Sequence, residues 1–251
     1  MSLHSSWSPD AAQVLARACE YAGGATAWND AQTIRLHPVE NGLTGLVPRL
    51  KGLGRTFVMP EYFDVMPHQR CARFVGYPAP NSVGIFENGA VRIEGPAGVS
   101  SRSELHRRSF RGLSKYRRWS ALDALYFFGY ALTHYHALPF TLREATLKSS
   151  YRERGRGRTL DVLEVELPED VPSHCRQQRF YFSEAGQLVR NDYHAEILGF
   201  WARGAHYWRE STRVNGLTVC LERYVLARVG RLTLPLVALH ARFARAELIP
   251  G

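Results

Sequence analysis

At 251 residues the chain is long enough to bury a sizeable core without disulfides or metals, and 45% hydrophobic with 22% charged residues is the balance of a soluble globular protein. The formal net charge of +9 is carried almost wholly by arginine, since lysine occurs only at Lys51, Lys115 and Lys148; a GC-rich genome and an anionic partner both account for such a bias. Cys19, Cys71, Cys175 and Cys220 stand apart, which excludes a zinc ribbon or a disulfide framework and suits a reducing compartment, and no run reaches the roughly 18 apolar residues of a membrane span.

Met1 to Asp10 has neither a basic n-region nor an apolar h-region, so a cytoplasmic location is expected. Ser8-Pro9-Asp10 is a helix start, with a cap, a proline at the first helical position and an acid in the first turn, and Gly23-Gly24 end that helix. Alternation from Gln32 to Pro38 predicts a half-buried strand, and Leu43 to Leu53 a loop with a helical turn. Thr56 to Val65, Gln69 to Tyr77, Ser82 to Glu87 and Ala90 to Glu94 read as an antiparallel meander, the last two joined at Asn88-Gly89, the strongest short hairpin signal. Ser100 to Arg118 is polar and basic and is expected to be a surface loop.

The stretch from Ser120 to Phe140 predicts a helix that the rest of the chain surrounds. Leu122, Leu125, Tyr126, Gly129 and Leu132 share one face, while Phe127, Phe128, Ala131, Tyr135 and Leu138 make the opposite face apolar too, so the helix is buried on both sides. Ser120 caps it, Asp123 lies in its first turn and Pro139 stops it. Strands follow at Thr146 to Arg154, Arg158 to Leu167, Arg179 to Phe182, Leu188 to Ile197, Ala205 to Arg213, Leu217 to Arg228 and Leu232 to Glu247, with Asn215-Gly216 as another tight turn; for the last run strand is favoured over helix. No repeat or linker divides the chain, so residues 1–251 are read as a single domain.

Short segments along most of the chain carry a family resemblance: the N-terminal helix ending Ala22-Gly-Gly24 with Trp28 beyond it, Leu122 to Ala131, Gln178 to Phe182 with Gly186 to Tyr193, Ala205-His-Tyr207, and Asn215 to Val219. Together they resemble the half-barrel fold of the Lol-type lipoprotein carrier proteins, and more closely a large group of functionally uncharacterised bacterial proteins with that fold. The resemblance implies a mainly β (α+β) architecture: a strongly curved antiparallel half-barrel, with a central buried helix and the N-terminal helix covering its open side and an apolar ligand held between. The Pro-Thr that often follows such a turn in the group is replaced here by Cys220-Leu221, and the sequence carries no signal peptide or lipobox. What it implies is therefore the cavity and not lipoprotein transport.

Period-two geometry places Leu188, Arg190, Asp192, His194 and Glu196 on one strand face and Asn191 and Tyr193 on the other. The first face is either a solvated column of salt links or an acid-base site in which Asp192 orients His194, with His206 of the next strand, flanked by Trp208, across from it. His134 and His136 do not share a helix face, and no third ligand joins His194 and His206, so no metal is expected. There is no nucleophile elbow and no phosphate-binding glycine loop, so no cofactor is expected either, and Cys175 beside His174 reads as a buried or loop thiol. The run Arg102 to Arg118 mixes cations with Phe110, Tyr116 and Trp119, as single-strand nucleic-acid binders do, but lacks a recognisable module, which makes nucleic acid the weakest of three readings.

The leading expectation is a half-barrel that binds an apolar or amphipathic small molecule, a lipid, polyketide or terpenoid-like chain, lined by Tyr126, Phe127, Tyr130, Tyr135, Phe182, Tyr207, Trp208 and His206. The alternative is a cofactor-independent cyclase or isomerase acting on such a molecule, with Asp192, His194, Asp123 and Tyr193 as candidate catalytic groups. The sequence leaves the ligand's identity and the oligomeric state open.

Overall fold

The computed structural model describes residues 7–53, 57–155 and 157–250. Met1 to Ser6 of the N-terminal segment, Thr56 of the second predicted strand and Arg156 of the predicted turn lie outside the described residues. Helix α1 (Pro9–Ala22) starts at the predicted cap, where the Ser8 hydroxyl accepts from the Ala11 N–H, and ends at Gly23, whose φ of 129° a residue with a Cβ would rarely adopt. Short helices α2 (Gly24–Asp30) and α3 (Leu46–Leu50) flank β1 (Thr33–Thr44).

The meander that follows is β2 (Tyr62–Met66), β3 (Cys71–Val75), β4 (Val83–Glu87), β5 (Ala90–Gly95) and β6 (Gly98–Ser103). Asn88 and Gly89, at φ 47° and 93°, form the expected tight turn between β4 and β5. Helix α4 (Ala121–Ala137) is the central helix, and after it come β7 (Thr146–Gly155), β8 (Arg158–Glu166), β9 (Gln177–Phe182), β10 (Leu188–His194), β11 (Arg203–Trp208), β12 (Ser211–Val214), β13 (Leu217–Cys220), β14 (Glu222–Val229) and β15 (Leu232–Ile249).

Among the described residues, thirteen strands make one antiparallel sheet in the order β6-β5-β4-β3-β2-β1-β15-β14-β11-β10-β9-β8-β7, curved and open. Its middle seam pairs the chain's first strand with its last, Thr33 opposite Ile249 and Leu36 opposite Ala246. The sequence missed β6 because its residues are nearly all exposed and show no apolar alternation. Two predicted strands, 205–213 and 217–228, are each broken: the chain leaves the main sheet after Trp208, and β12 and β13 form a separate ribbon. That ribbon packs on α1, with Thr218 and Arg213 donating to the Tyr21 carbonyl. β10 stops at His194, where Ala195 pairs back to Ala202, so Glu196 leaves the strand column predicted for it and instead meets Arg107 at 2.6 Å.

Helix α4 is buried at every position from Asp123 to Ala137 and lies against β2, β3, β4 and β5. Its start is a capping box: the Ser120 hydroxyl accepts from the Asp123 N–H at 3.2 Å, and the Asp123 carboxylate accepts from the Ser120 N–H at 2.8 Å. Leu125, which lies over Gly84, and Phe86, which lies against Gly129, are fully buried, and burying a side chain of that size contributes about 1.5–3 kcal/mol. Ser120→Ala leaves the Asp123 N–H without its partner and is expected to lower stability by about 1 kcal/mol in chemical denaturation.

Candidate functional site

Between α4 and the strands of the seam lies an apolar cleft of about 320 Å³. Val47, Phe63, Phe127, Phe128, Leu132 and Leu239 form much of its wall, and exposed Leu50, Trp201 and Leu236 stand among its lining residues. Polar side chains reach it at one region only among its deeply buried members: Tyr135, His174, Tyr193, His206 and Arg223.

These polar groups are wired together. The Tyr130 hydroxyl is 2.8 Å from His174 Nδ1, and His174 Nε2 is 2.6 Å from the Tyr135 hydroxyl. Tyr193 stacks on the His174 ring at 4.1 Å, and His206 packs edge-on to Tyr135 and flat on Trp208, both at 4.4 Å. Burial, reinforced by nearby cationic and imidazole groups, holds His174 and His206 well below the usual histidine range, so both are neutral at pH 7. Burial likewise pushes the Tyr135, Tyr130 and Tyr193 hydroxyls up, keeping them protonated donors. The arrangement can orient a bound molecule by hydrogen bonds or pass a proton between neutral groups.

Arg223 is 3% exposed, and its Nη1 has no hydrogen-bond partner. Its Nη2 is 3.5 Å from His136 Nε2, whose other nitrogen, Nδ1, donates to the Leu132 carbonyl at 2.9 Å. Burial and the guanidinium together lower the His136 pKa to about 3, so His136 is a neutral acceptor here. An arginine stays protonated at this depth, and stranding one member of a buried ion pair costs about 3–5 kcal/mol, so the lone guanidinium marks a place where stability is given up.

The structure separates the residues that the sequence put together. Phe127, Tyr135, Tyr193 and His206 line the cleft. Tyr130 stands behind it as the partner of His174, Trp208 backs His206, and Phe182 is in the fully buried core. Tyr126 is packed among His106, Phe110 and Phe86. Tyr207 points to the opposite face of the sheet, stacked on Tyr224.

Asp192 and His194 are also on that opposite face. The register pairs Asp192 with Ala205 and puts His206 opposite Asn191, so the expectation that His206 lies across from the Asp192 column is corrected by one residue of strand alternation. Asp192 is clamped by Arg190 at 2.6 Å, Arg228 at 2.7 Å and the Tyr181 hydroxyl at 2.9 Å. His194 Nε2 donates to the Gly199 carbonyl. Asp123 is at the start of α4, held by His106, Arg117 and Ser120. A wider polar depression of about 1380 Å³ runs over this side, past Asp192, His194, Arg107 and Arg179, and its walls are charged and largely exposed.

In the basic segment, Phe110 and Trp119 are buried and Arg107 and Arg117 are engaged with Glu196 and Asp123, while Tyr116, Arg108, Arg111 and Arg118 are exposed. Among the described residues no three His, Cys, Asp or Glu side chains come together to hold a metal, and no helix is long and apolar enough to cross a membrane. Sequence reasoning missed much of the aliphatic wall and two of the five buried polar residues of the cleft. His174 sits in a loop with no periodicity to orient it, whereas Arg223 shares a strand face with Val225 and Ala227, a cation among small apolar positions that could have been noticed.

No family model and no curated protein matches this chain. Similar solved structures include a LolA superfamily protein from Nitrosomonas europaea, 7% identical over 96% of this chain and 94% of that one with a TM-score of 0.49. Another is a DUF1329 family protein from Desulfovibrio piger, 10% identical over 94% and 92% of the two chains with a TM-score of 0.46. The first is of the family type that the short sequence segments resemble.

Proposed function

We propose that the chain binds an apolar or amphipathic small molecule, of lipid, polyketide or terpenoid-like character, in the cleft between α4 and the sheet. The observation that carries this reading is the cleft itself: about 320 Å³ walled by aliphatic and aromatic side chains, within the range of roughly 300–1,000 Å³ of ligand pockets. A volume at that lower end suits one chain or a compact ring system. Native mass spectrometry of the gently purified protein should show an added mass of a hydrophobic molecule. Ala131→Leu, which puts three more carbons into the cleft wall, should remove most of it. Bare protein that also takes up no 1-dodecanol would overturn the reading.

One observation favours a second reading, a cofactor-independent isomerase or cyclase in the same cleft. The hydrogen-bonded series Tyr130, His174, Tyr135 ends on the cleft wall, and of the four groups singled out as catalytic only Tyr193 is there beside it. A neutral imidazole between two hydroxyls can take a proton on one nitrogen while giving one from the other. If it acts so, the co-purified molecule incubated with protein in D2O should gain deuterium at carbon, about 100-fold more slowly with Tyr135→Phe. Absence of exchange in the wild type leaves binding alone.

A further inference from the structure

We propose that the molecule held in the cleft carries a single carboxylate and that Arg223 binds it. The inference rests on the reading of the cleft as a ligand site and names the ligand's chemical class. Arg223 comes from β14 and reaches the cleft beside the rings of Tyr135 and Phe243, 5.3 and 5.5 Å from its guanidinium carbon. Among the described residues no carboxylate pairs with it. Glu222, next along the strand, points the other way to His240 at 2.7 Å, and Asp192 serves Arg190 and Arg228. Nη1 is buried with no partner at all.

A second orphan lies on the same face. His206 is 1% exposed, lines the cleft, and has no partner at either ring nitrogen. The register pairs Trp208 with Arg223 and His206 with Val225, which sets His206 diagonally across from Arg223. A neutral imidazole keeps one N–H, so the buried part of the cleft offers two side chains with unused donors, one of them charged; of the other arginines that line the cleft, Arg228 is paired with Asp192 and Arg203 and Arg242 are exposed. Buried donors are nearly always satisfied in folded proteins, and a guanidinium fork fits a carboxylate with two parallel hydrogen bonds. One buried uncompensated positive charge, with the exposed guanidinium groups of Arg203 and Arg242 left to solvent, calls for one negative charge, so a monoanion fits where a phosphate dianion would leave charge over. The remaining wall, from Val47 and Phe63 to Leu239, takes the apolar tail.

The test is isothermal titration of the full chain with dodecanoate, 1-dodecanol and dodecyl phosphate, each below its aggregation concentration. The wild type should bind dodecanoate about 10-fold or more tighter than the alcohol, as a charge-assisted pair in a dry site requires. Arg223→Met should erase that preference while leaving dodecanol within about 3-fold, and should melt no lower than the wild type without ligand, since a buried unpaired charge is replaced by an apolar side chain. Arg223→Lys should keep part of the preference, having the charge without the fork, and carries the comparison if the methionine variant does not fold. Equal binding of dodecanoate and dodecanol, or a preference that survives in Arg223→Met, overturns the carboxylate assignment and leaves the cleft as a binding site. Tighter binding of dodecyl phosphate overturns the monoanion. Failure of all three to bind overturns the cleft reading as well.

Discussion

Replacing Asp123 by alanine is expected to lower the stability of the chain at pH 7 by about 3–5 kcal/mol, the cost of removing one partner from a buried, hydrogen-bonded charge cluster. For a chain of this size that corresponds to a fall in Tm of roughly 6–20 °C. Asp123 has no exposed surface, and its two oxygens accept from His106 at 2.9 Å, from two nitrogens of Arg117, and from the N–H and hydroxyl of Ser120 at 2.8 and 2.9 Å. Its loss strands the last turn of chain before α4 together with the 3₁₀ segment that carries His106. The acid also fixes a pH dependence. Burial alone would raise its pKa, but the hydrogen bonds from His106, Arg117 and Ser120 outweigh burial and hold the carboxyl well below its ordinary value of 3.8.

Because the folded-state value is the lower one, the stabilisation is fully present above the ordinary value and is lost as pH falls from there toward the folded-state value. Urea denaturation from pH 7 to pH 3 should therefore show the wild type losing stability faster than Asp123→Ala, the two curves converging in acid. A difference as large at pH 3 as at pH 7 would show that the carboxylate's charge is not what matters. The role argued here is structural, so a variant that folds normally and loses only ligand-dependent behaviour would return Asp123 to the candidates for catalysis.

Gly129→Leu is expected to cost about 3 kcal/mol or more, at the upper end of overpacking effects, and to displace α4 from the sheet. Even the first added carbon, a Cβ, would come within 2.3 Å of the Phe86 Cβ and 2.5 Å of its Cγ. Those atoms are fixed to the backbone of β4, and the Phe86 ring is fully buried against Tyr126, so neither can step aside. The side chain points at the sheet and not into the cleft, whose lining does not include Gly129; of the two outcomes open to the sequence, filling the cavity or moving the helix, the second follows. Moving α4 shifts Phe127, Ala131 and Tyr135 together, so ligand uptake should fall with stability. Gly129→Ala separates contact from bulk: a loss within about 0.5 kcal/mol, the range of ordinary surface changes, would contradict the close approach.

Local chemistry was legible wherever one residue type has one structural use. Ser120 and Asp123 announced the start of α4, Asn88-Gly89 and Asn215-Gly216 the tight turns, and the all-round apolar helix its own burial; these depend on backbone preferences and hydrogen bonds spanning a few residues. Antiparallel strands around a central helix were likewise read from the residues, and the curved, open form of their sheet came only from the family resemblance. The break after Trp208 was not, because Arg209 pairs with Glu222, thirteen positions away, and nothing local signals that. The candidate site shows the same boundary more sharply. Alternation along β10 sorted Asp192 and His194 from Asn191 and Tyr193, yet which set meets α4 depends on the direction in which thirteen paired strands curve and on the register between β10 and β11. A strand states that it has two faces; only the packing of distant strands decides that Asp192 is spent on Arg190 and Arg228 while Arg223, from a strand far along the chain, is left beside the cleft with an unused donor.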